Sequence, residues 1–359
     1  MSYQKLRETL EPNTPTSFYL ALLPQHYPLA IQGLTTNGLL RSDSEVILEK
    51  PVATTQAKAQ TLLNLLRELQ IENQASLVEH FNLKESLINA LHFRLSTPFE
   101  AWLNRDNVKE LRIYAIEKIT VPNERVPFFD SIRSQLRDMI THLLAMSYPL
   151  LIDLPPEGLE VSSLRRQKEK IAQSLRVVDA DTAVWGQYQG YPTPTTSTFT
   201  AFTLECDTPR WKGVTIKVVT GKGLPEKYCG MEVIFREQSQ VKNLFGNIAP
   251  RLVFRHYPNE GIAFYFPVKR PGSGRKLVPA KMEFTYQSAF QQVNQPAYLR
   301  LLADICAGDK SSFASPLEAL QALRIADELE AGGHSFVKYQ VGTYPEEAKD
   351  WLPSEAEWL

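Results

Sequence analysis

Two apolar runs near the start of the chain constrain its fold more than any other feature. Residues 18–23 read Phe-Tyr-Leu-Ala-Leu-Leu and are closed by Pro24, and Glu45 leads into Val-Ile-Leu. A strand in a one-sided sheet alternates apolar and polar residues. A run that is apolar at every position must be covered on both faces, the situation of strands in a parallel sheet flanked by helices. The neighbouring segments agree. Residues 27–38 read as a helix stopped at Gly38, and Thr54 or Thr55 caps a helix whose Ala57, Leu62, Leu63, Leu66 and Leu69 keep mostly helical spacing. Strand–helix–strand–helix of this kind is α/β architecture. A short helix over residues 3–10 precedes it.

From about residue 110 the texture changes. Residues 111–116 alternate like a strand. Ile132, Leu136, Met139, Ile140, Leu143 and Leu144 then share one helical stripe, and a further helix covers 164–175. After the Pro192-Thr193-Pro194 loop come strand candidates at 199–206, 214–219, 231–236, 251–256, 261–268 and 281–286, separated by turn residues such as Gly221, Asn259 and Gly272. Helices return at 296–307 and 316–330. The reading is α/β followed by α+β, the second part built on a large, mainly antiparallel sheet.

Bulk properties exclude several classes. With 359 residues, 43% of them apolar, the chain can bury a sizeable core and hold two domains. A formal net charge of -1 argues against general nucleic-acid or anionic-membrane binding. Cys206, Cys229 and Cys306 lie far apart and match neither a disulfide framework nor a metal site, which points to a reducing compartment. The N-terminus has no apolar signal core, and the apolar stretch at 143–154 is too short to span a bilayer. A cytoplasmic location with no membrane and no nucleic-acid partner is expected.

Residues 77–85, Leu-Val-Glu-His-Phe-Asn-Leu-Lys-Glu, carry the first chemical signal. Glu79 beside His80 offers an acid–base pair, and Lys84 four residues on could grip a phosphate if the stretch is helical. The bland reading is a short apolar helix that shows these letters by accident. The order of segments along nearly the whole chain resembles the glucose-6-phosphate dehydrogenase family. FYLALLP resembles the strand at the end of the family's coenzyme domain, and ILEKP its EKP segment. LVEHFNLKES is similar to its IDHYLGKE, and FFDSIRSQLRDMITHLL to the segment ending in RDMIQNHLL. TGKGL resembles RTGKxL, PNEGI resembles PDEGI, and AYLRLLADICAGDKSSFAS resembles a late helix and loop.

The resemblance implies residues 1–75 as a truncated coenzyme-type portion with a partial Rossmann-like parallel sheet. Residues 76–359 are then the C-terminal α+β domain, with helices packed on one face of its sheet. Two departures accompany the match. The family's glycine-rich turn, which grips dinucleotide pyrophosphate through close backbone approach and a helix N-terminus, has no counterpart here. That leaves a parallel strand edge to be covered. The base segment is also one residue shorter than the family's, so the histidine lies four residues after Asp138 rather than five. Aligned without a gap, Leu143 takes the base position, which would abolish general-base catalysis; with a gap, His142 takes it. Residues four apart lie about 40° apart around a helix, so Asp138 and His142 share a face. The one-residue deletion is expected to regularise the helix and to keep His142 facing the pocket.

By resemblance, His142 is the base that takes the proton from the sugar C1 hydroxyl, and Glu79, in place of an aspartate, orients it. His80 and Lys84 hold the substrate phosphate, and Lys50 lies near the sugar hydroxyls. Glu117 and Asp138 accept bonds from those hydroxyls. Lys222 is a further substrate lysine, with Lys227 a weaker candidate, and Val219 replaces a family arginine. No cofactor-binding residue is assigned and no metal is expected. His26, His92, His256 and His334 read as structural. For function the first expectation is a protein that binds a sugar phosphate of the glucose 6-phosphate class with lost or impaired oxidation, regulating or assembling with a full-length relative. The alternative is an active NADP-dependent dehydrogenase of the pentose phosphate pathway, its nucleotide site supplied by another chain or by sequence outside this one. A third is a structural protein with a vestigial pocket. The cofactor is NADP if the chain is active, and there is none otherwise. Pairing is expected as a homodimer, or as a heterodimer with a full-length relative.

Overall fold

A computed structural model describes residues 3–352, apart from 12–13, 156–157, 238–248, 273, 275–276, 292–296 and 334. His334 therefore lies outside the described residues. Helix α1 (Tyr3–Thr9) leads into a three-stranded parallel sheet in the order β1 (Ser17–Leu20), β2 (Glu45–Leu48), β3 (Ala75–Leu77). Helices α2 (Tyr27–Thr36) and α3 (Gln56–Glu68) connect the strands. Thr55 caps α3, its side chain accepting from the Lys58 amide at 3.4 Å. Every residue of β2 is buried, as its apolar run requires. The first run is only half a strand: β1 stops at Leu20, and Leu22 and Leu23 are exposed. At the β1 end of the sheet, Tyr3, Leu6 and Leu10 pack with Phe18, Leu34 and Leu39.

The second sheet has ten strands. Its path runs β12 (Leu277–Thr285), β11 (Gly261–Lys269), β10 (Arg251–Tyr257), β9 (Tyr228–Phe235), β4 (Val108–Ile116), β8 (Thr215–Gly221), β7 (Phe199–Cys206), β6 (Val184–Tyr188), β13 (Val337–Tyr339), with β5 (Leu175–Val177) on β7. Most pairings are antiparallel, but β4–β8 and β6–β13 are parallel. Alternation along β4 sends Leu111, Ile113 and Ala115 to one face and Tyr114 and Ile116 to the other.

The first face packs on α4 (Glu85–Ser96), α7 (Gln135–Leu151) and α8 (Val161–Ser174). Leu136, Ile140, Leu143 and Leu144 of α7 are all essentially fully buried there, each contributing ~1.5–3 kcal/mol. The second face is covered by α6 (Val126–Ile132) and by residues from Tyr339 to Leu352. Between α4 and β4 lies the single turn α5 (Phe99–Trp102); α9 (Tyr286–Phe290) and α10 (Ala297–Ala307) follow β12. Helix α11 (Pro316–Glu330), closed by a Ser315–Glu318 capping box, returns to pack on α3 and α7.

The stripe read from Ile132 to Leu144 belongs to two helices. Arg133, with φ 61°, ends α6, and the Ser134 hydroxyl starts α7 by accepting from the Leu136 amide. From there α7 is a regular α-helix past His142.

Candidate active site

Two parallel registers bring the chemistry together. Leu48 of β2 sits opposite Leu77 of β3. Two residues past each strand end, Lys50 and Glu79 therefore lie side by side. Ile116 of β4 sits opposite Gly221 of β8, so the next residues, Glu117 and Lys222, also meet. The Glu117 amide donates to the Gly221 carbonyl at 2.9 Å, and Gly223, at φ +66°, makes the turn that follows. Both pairs lie at the carboxyl ends of parallel strands, where α/β folds place ligands.

Residues 79–84 are turn rather than helix, closed by Asn82 N to Glu79 O at 2.9 Å and Lys84 N to Phe81 O at 3.0 Å. The turn aims Glu79, His80 and Lys84 inward over α7, and Lys84 is the N-cap of α4. Glu79 is 2% exposed and bridges two partners, one carboxylate oxygen to His142 Nδ1 and the other to the Lys50 ammonium. Lys50 also donates to Thr141 Oγ1, and its nitrogen lies 3.0 Å from His142 Nδ1. Because Nδ1–H donates to Glu79, the lone pair of His142 is at Nε2. Phe81 stacks on the His142 ring at 4.5 Å, and His80 meets it edge-on at the same distance.

Burial pushes the His142 pKa below the ordinary histidine value, with Lys50 adding to the effect and Glu79 opposing it, so the imidazole is neutral at pH 7. Burial would raise Glu79, but His142 and Lys50 outweigh it and hold the carboxyl well below its usual range. Burial also lowers Lys50 against the pull of Glu79. His80 is pushed down to about 4, first by burial and then by His142 and the two lysines 50 and 84. It therefore meets a ligand as a neutral hydrogen-bonding group. Burial raises Asp138 more than Arg125 and Lys222 lower it.

His80, Asp138, Arg125 and His142 line two adjoining cavities. One, of about 420 Å³, is also lined by Lys84, Glu117, Lys222, Lys227, His256 and Tyr257. The other, of about 250 Å³, is bounded by Glu49 to Thr54, Thr141 and Tyr298. The eight residues given site roles by resemblance thus belong to one constellation, Glu79 behind His142 and the other seven on the cavity walls, and the weaker candidate Lys227 lines the larger cavity too. Val219 is elsewhere, in the core on the second sheet face. Arg125, Thr141 and Tyr257 escaped the sequence reading, and His256, read there as structural, lines the larger cavity. The only available signal for Tyr257 and His256 was their place just before the PNEGI segment. Glu79, His80 and His142 could in shape chelate a cation, their ligand atoms lying within 4.8 Å of one another. The Lys50 ammonium already supplies the positive charge at that spot, so the cluster does not suit a divalent metal.

The comparisons with known proteins agree with this constellation. The family model described as the glucose-6-phosphate dehydrogenase C-terminal domain matches residues 91–359, and that of the NAD binding domain matches residues 1–89. The chain belongs to the glucose-6-phosphate dehydrogenase family. It is 30% identical over 345 residues to glucose-6-phosphate 1-dehydrogenase of Chlamydia trachomatis, covering 87% of this chain and 78% of that protein. It is 28% identical over 378 residues to the enzyme of Aggregatibacter actinomycetemcomitans, covering 97% and 76%. A solved glucose-6-phosphate dehydrogenase in complex with its substrate glucose-6-phosphate superposes with TM-score 0.82 at 26% identity, over 94% of this chain and 74% of that one. The Mycobacterium avium glucose-6-phosphate 1-dehydrogenase shares the fold, with TM-score 0.85 at 24% identity over 98% and 78% of the two chains. No helix among the described residues is long and apolar enough to cross a membrane.

Proposed function

We propose that this chain oxidises glucose 6-phosphate at C1 to 6-phosphogluconolactone, with NADP as hydride acceptor, a reaction of the pentose phosphate pathway. The observation that carries the reading is the buried Glu79–His142 pair standing between the two cavities. The sugar phosphate fits the larger one, where Lys84 and Lys227 can meet the phosphate and Glu117, Asp138 and Lys222 the hydroxyls. His142 Nε2 takes the C1 hydroxyl proton, and the imidazolium formed is stabilised by Glu79. Lys50, held by Glu79 and Thr141, fixes the position of the carboxylate.

The smaller cavity lies at the carboxyl ends of β2 and β3 and meets the sugar cavity at His142, so its residues fit the nicotinamide end of the coenzyme. Pro51 to Thr54 and Thr141 would hold that ring. No glycine-rich turn for the pyrophosphate occurs in this sequence. Bound in the smaller cavity, NADP would supply the hydride acceptor for C1, while His142 takes the hydroxyl proton. The matches to both family models and to several dehydrogenases favour this active reading over the expectation of lost oxidation, and favour a coenzyme over none.

The test is absorbance at 340 nm with glucose 6-phosphate and NADP, using wild type and His142→Ala. Turnover in the wild type that disappears in the variant is expected. Saturable sugar-phosphate binding without turnover would overturn the catalytic reading and restore the binding-only one.

A further inference from the structure

His256 stands outside the catalytic pair, and its hydrogen bonding is incomplete. It is 7% exposed, near the end of β10, and lines the sugar-phosphate cavity. Its Nδ1 lies 2.5 Å from Ser86 Oγ, which donates to Glu260 Oε1 at 2.5 Å. The Ser86 amide donates to the same carboxylate oxygen at 2.8 Å. Because the serine proton goes to Glu260, Nδ1 carries the imidazole proton and Nε2 holds a lone pair. That Nε2 is buried and has no hydrogen-bond partner among the described residues. A buried polar atom left in this state calls for an explanation.

The surroundings point to an anion. Lys84 and Lys227 line the same cavity, and neither forms an ion pair with a carboxylate among the described residues, whereas Lys222 is committed to Glu117. Lys227 instead lies over the Tyr257 ring at 4.2 Å. Phe81, on the same wall, offers no side-chain donor. The charged and titratable groups that share its cavity or its hydrogen bonds are the lysines 84 and 227, the Cys229 thiol on β9, and Glu260 through Ser86. Without a ligand, burial and then the Lys84 charge press the imidazole down to about 3. A dianion between the two lysines reverses that balance.

We infer that His256 is a ligand of the substrate's phosphate through Nε2, and that the phosphate binds together with one proton held between it and the imidazole. The proton comes from solvent. The Ser86–Glu260 relay stabilises the positive charge at the far side of the ring. The inference rests on the sugar-phosphate reading above only for the identity of the ligand; the anion site stands on the geometry of His256, Ser86 and the two lysines.

Calorimetry at pH 7.5 in buffers of different ionisation enthalpy, with glucose 6-phosphate and with inorganic phosphate as probes, measures affinity and proton uptake together. At that pH the free ligand is mostly dianionic, its second pKa being near ~6. Wild type is expected to take up roughly half a proton or more per ligand. His256→Gln is expected to lose that uptake and to bind about 10- to 100-fold more weakly, the range of a charge-assisted hydrogen bond. Ser86→Ala keeps the imidazole but cuts the relay, so its uptake and affinity are expected to fall even if the glutamine variant does not fold. Unchanged affinity and uptake in either folded variant would overturn the inference and leave His256 a core histidine. His256-independent binding of glucose 6-phosphate would sink the inference alone. His256-dependent binding of inorganic phosphate with no binding of glucose 6-phosphate would sink the substrate reading alone. No binding of either probe by wild type would sink both.

Discussion

Replacing Glu79 with glutamine probes the catalytic pair at its most constrained point. One Glu79 oxygen accepts from His142 Nδ1–H and the other from the Lys50 ammonium, with the residue 2% exposed. Glutamine keeps the size but has one acceptor and one NH₂ group. With its oxygen toward Lys50, the NH₂ faces Nδ1, which must then accept. The imidazole proton moves to Nε2, the atom required to take the substrate's proton. With its oxygen toward His142, the NH₂ meets the ammonium, and two donors face each other out of water. The equivalent aspartate-to-asparagine exchange in a serine-protease triad costs about 10⁴-fold in kcat through the wrong tautomer. That corresponds to ~5.5 kcal/mol at ~1.36 kcal/mol per decade. We expect kcat/KM for glucose 6-phosphate, read at 340 nm, to fall ~10³–10⁴-fold. The calorimetric Kd for the sugar phosphate should move less than about threefold, because the phosphate groups lie elsewhere in the cavity. Removing the counterion of half-buried Lys50 also costs folding stability, up to ~3 kcal/mol, so a denaturation curve accompanies the kinetics. A folded Glu79→Gln protein within tenfold of wild-type turnover would refute the assignment of His142 as a base held by Glu79.

Three further outcomes follow from the same groups. The acid limb of kcat/KM should fall with an apparent pKa below 6.5, because burial lowers His142 and the base must be neutral; a limb above 7 in the pH–rate profile would contradict this. The fold itself should weaken on acidification. His256 is pressed down to about 3, so between that pH and 6.5 the unfolded chain binds more protons, and stability present above 6.5 is lost by ~1.4 kcal/mol per pH unit. Urea titrations at pH 7 and pH 5 should differ by at least that amount, because His80 and His142 are depressed too, and His256→Gln should reduce the slope by its own share. Lys84→Ala should raise the Kd for glucose 6-phosphate ~10- to 100-fold while leaving kcat within a few-fold. The thermal shift produced by millimolar ligand should shrink to match, and an undiminished shift would remove Lys84 from the site.

Local patterns recovered the elements whose burial is one-sided or complete over several residues. The helix read at 316–330 is α11, and the strand read at 199–206 is β7. Elements too short or too mixed for a period to develop were missed. Strand β3 has three residues. Helix α4 turns Leu87, Ala90 and Arg94 inward, and a buried arginine breaks the apolar stripe. Only its setting makes Arg94 acceptable there: it donates to the Pro149 and Ile152 carbonyls and to Glu100. The continuous stripe across Ile132 and Leu136 concealed a helix break, because left-handed backbone at Arg133 leaves no mark on apolar spacing.

By itself the sequence determined the α/β start, the large sheet that follows, and the types of group available for sugar-phosphate chemistry. Family resemblance named eight of the residues that now share one site. The tertiary structure alone decided how they meet. Glu79 and His142 are 63 residues apart, and Ser86 and His256 are 170 apart. Periodicity reports which side of an element is buried, but it carries no information about what lies across from it. The packing of α4 against α7 and β10 sets those two juxtapositions, and the parallel registers of β2 with β3 and β4 with β8 set Lys50 beside Glu79 and Glu117 beside Lys222. Folding also changed the meaning of single letters. His80, read as a phosphate grip, is pushed down to about 4 by burial, and His256, read as structural, holds a buried nitrogen with no partner among the described residues beside the sugar-phosphate cavity. Burial and neighbouring charge produce both changes, and both exist only once the chain has folded.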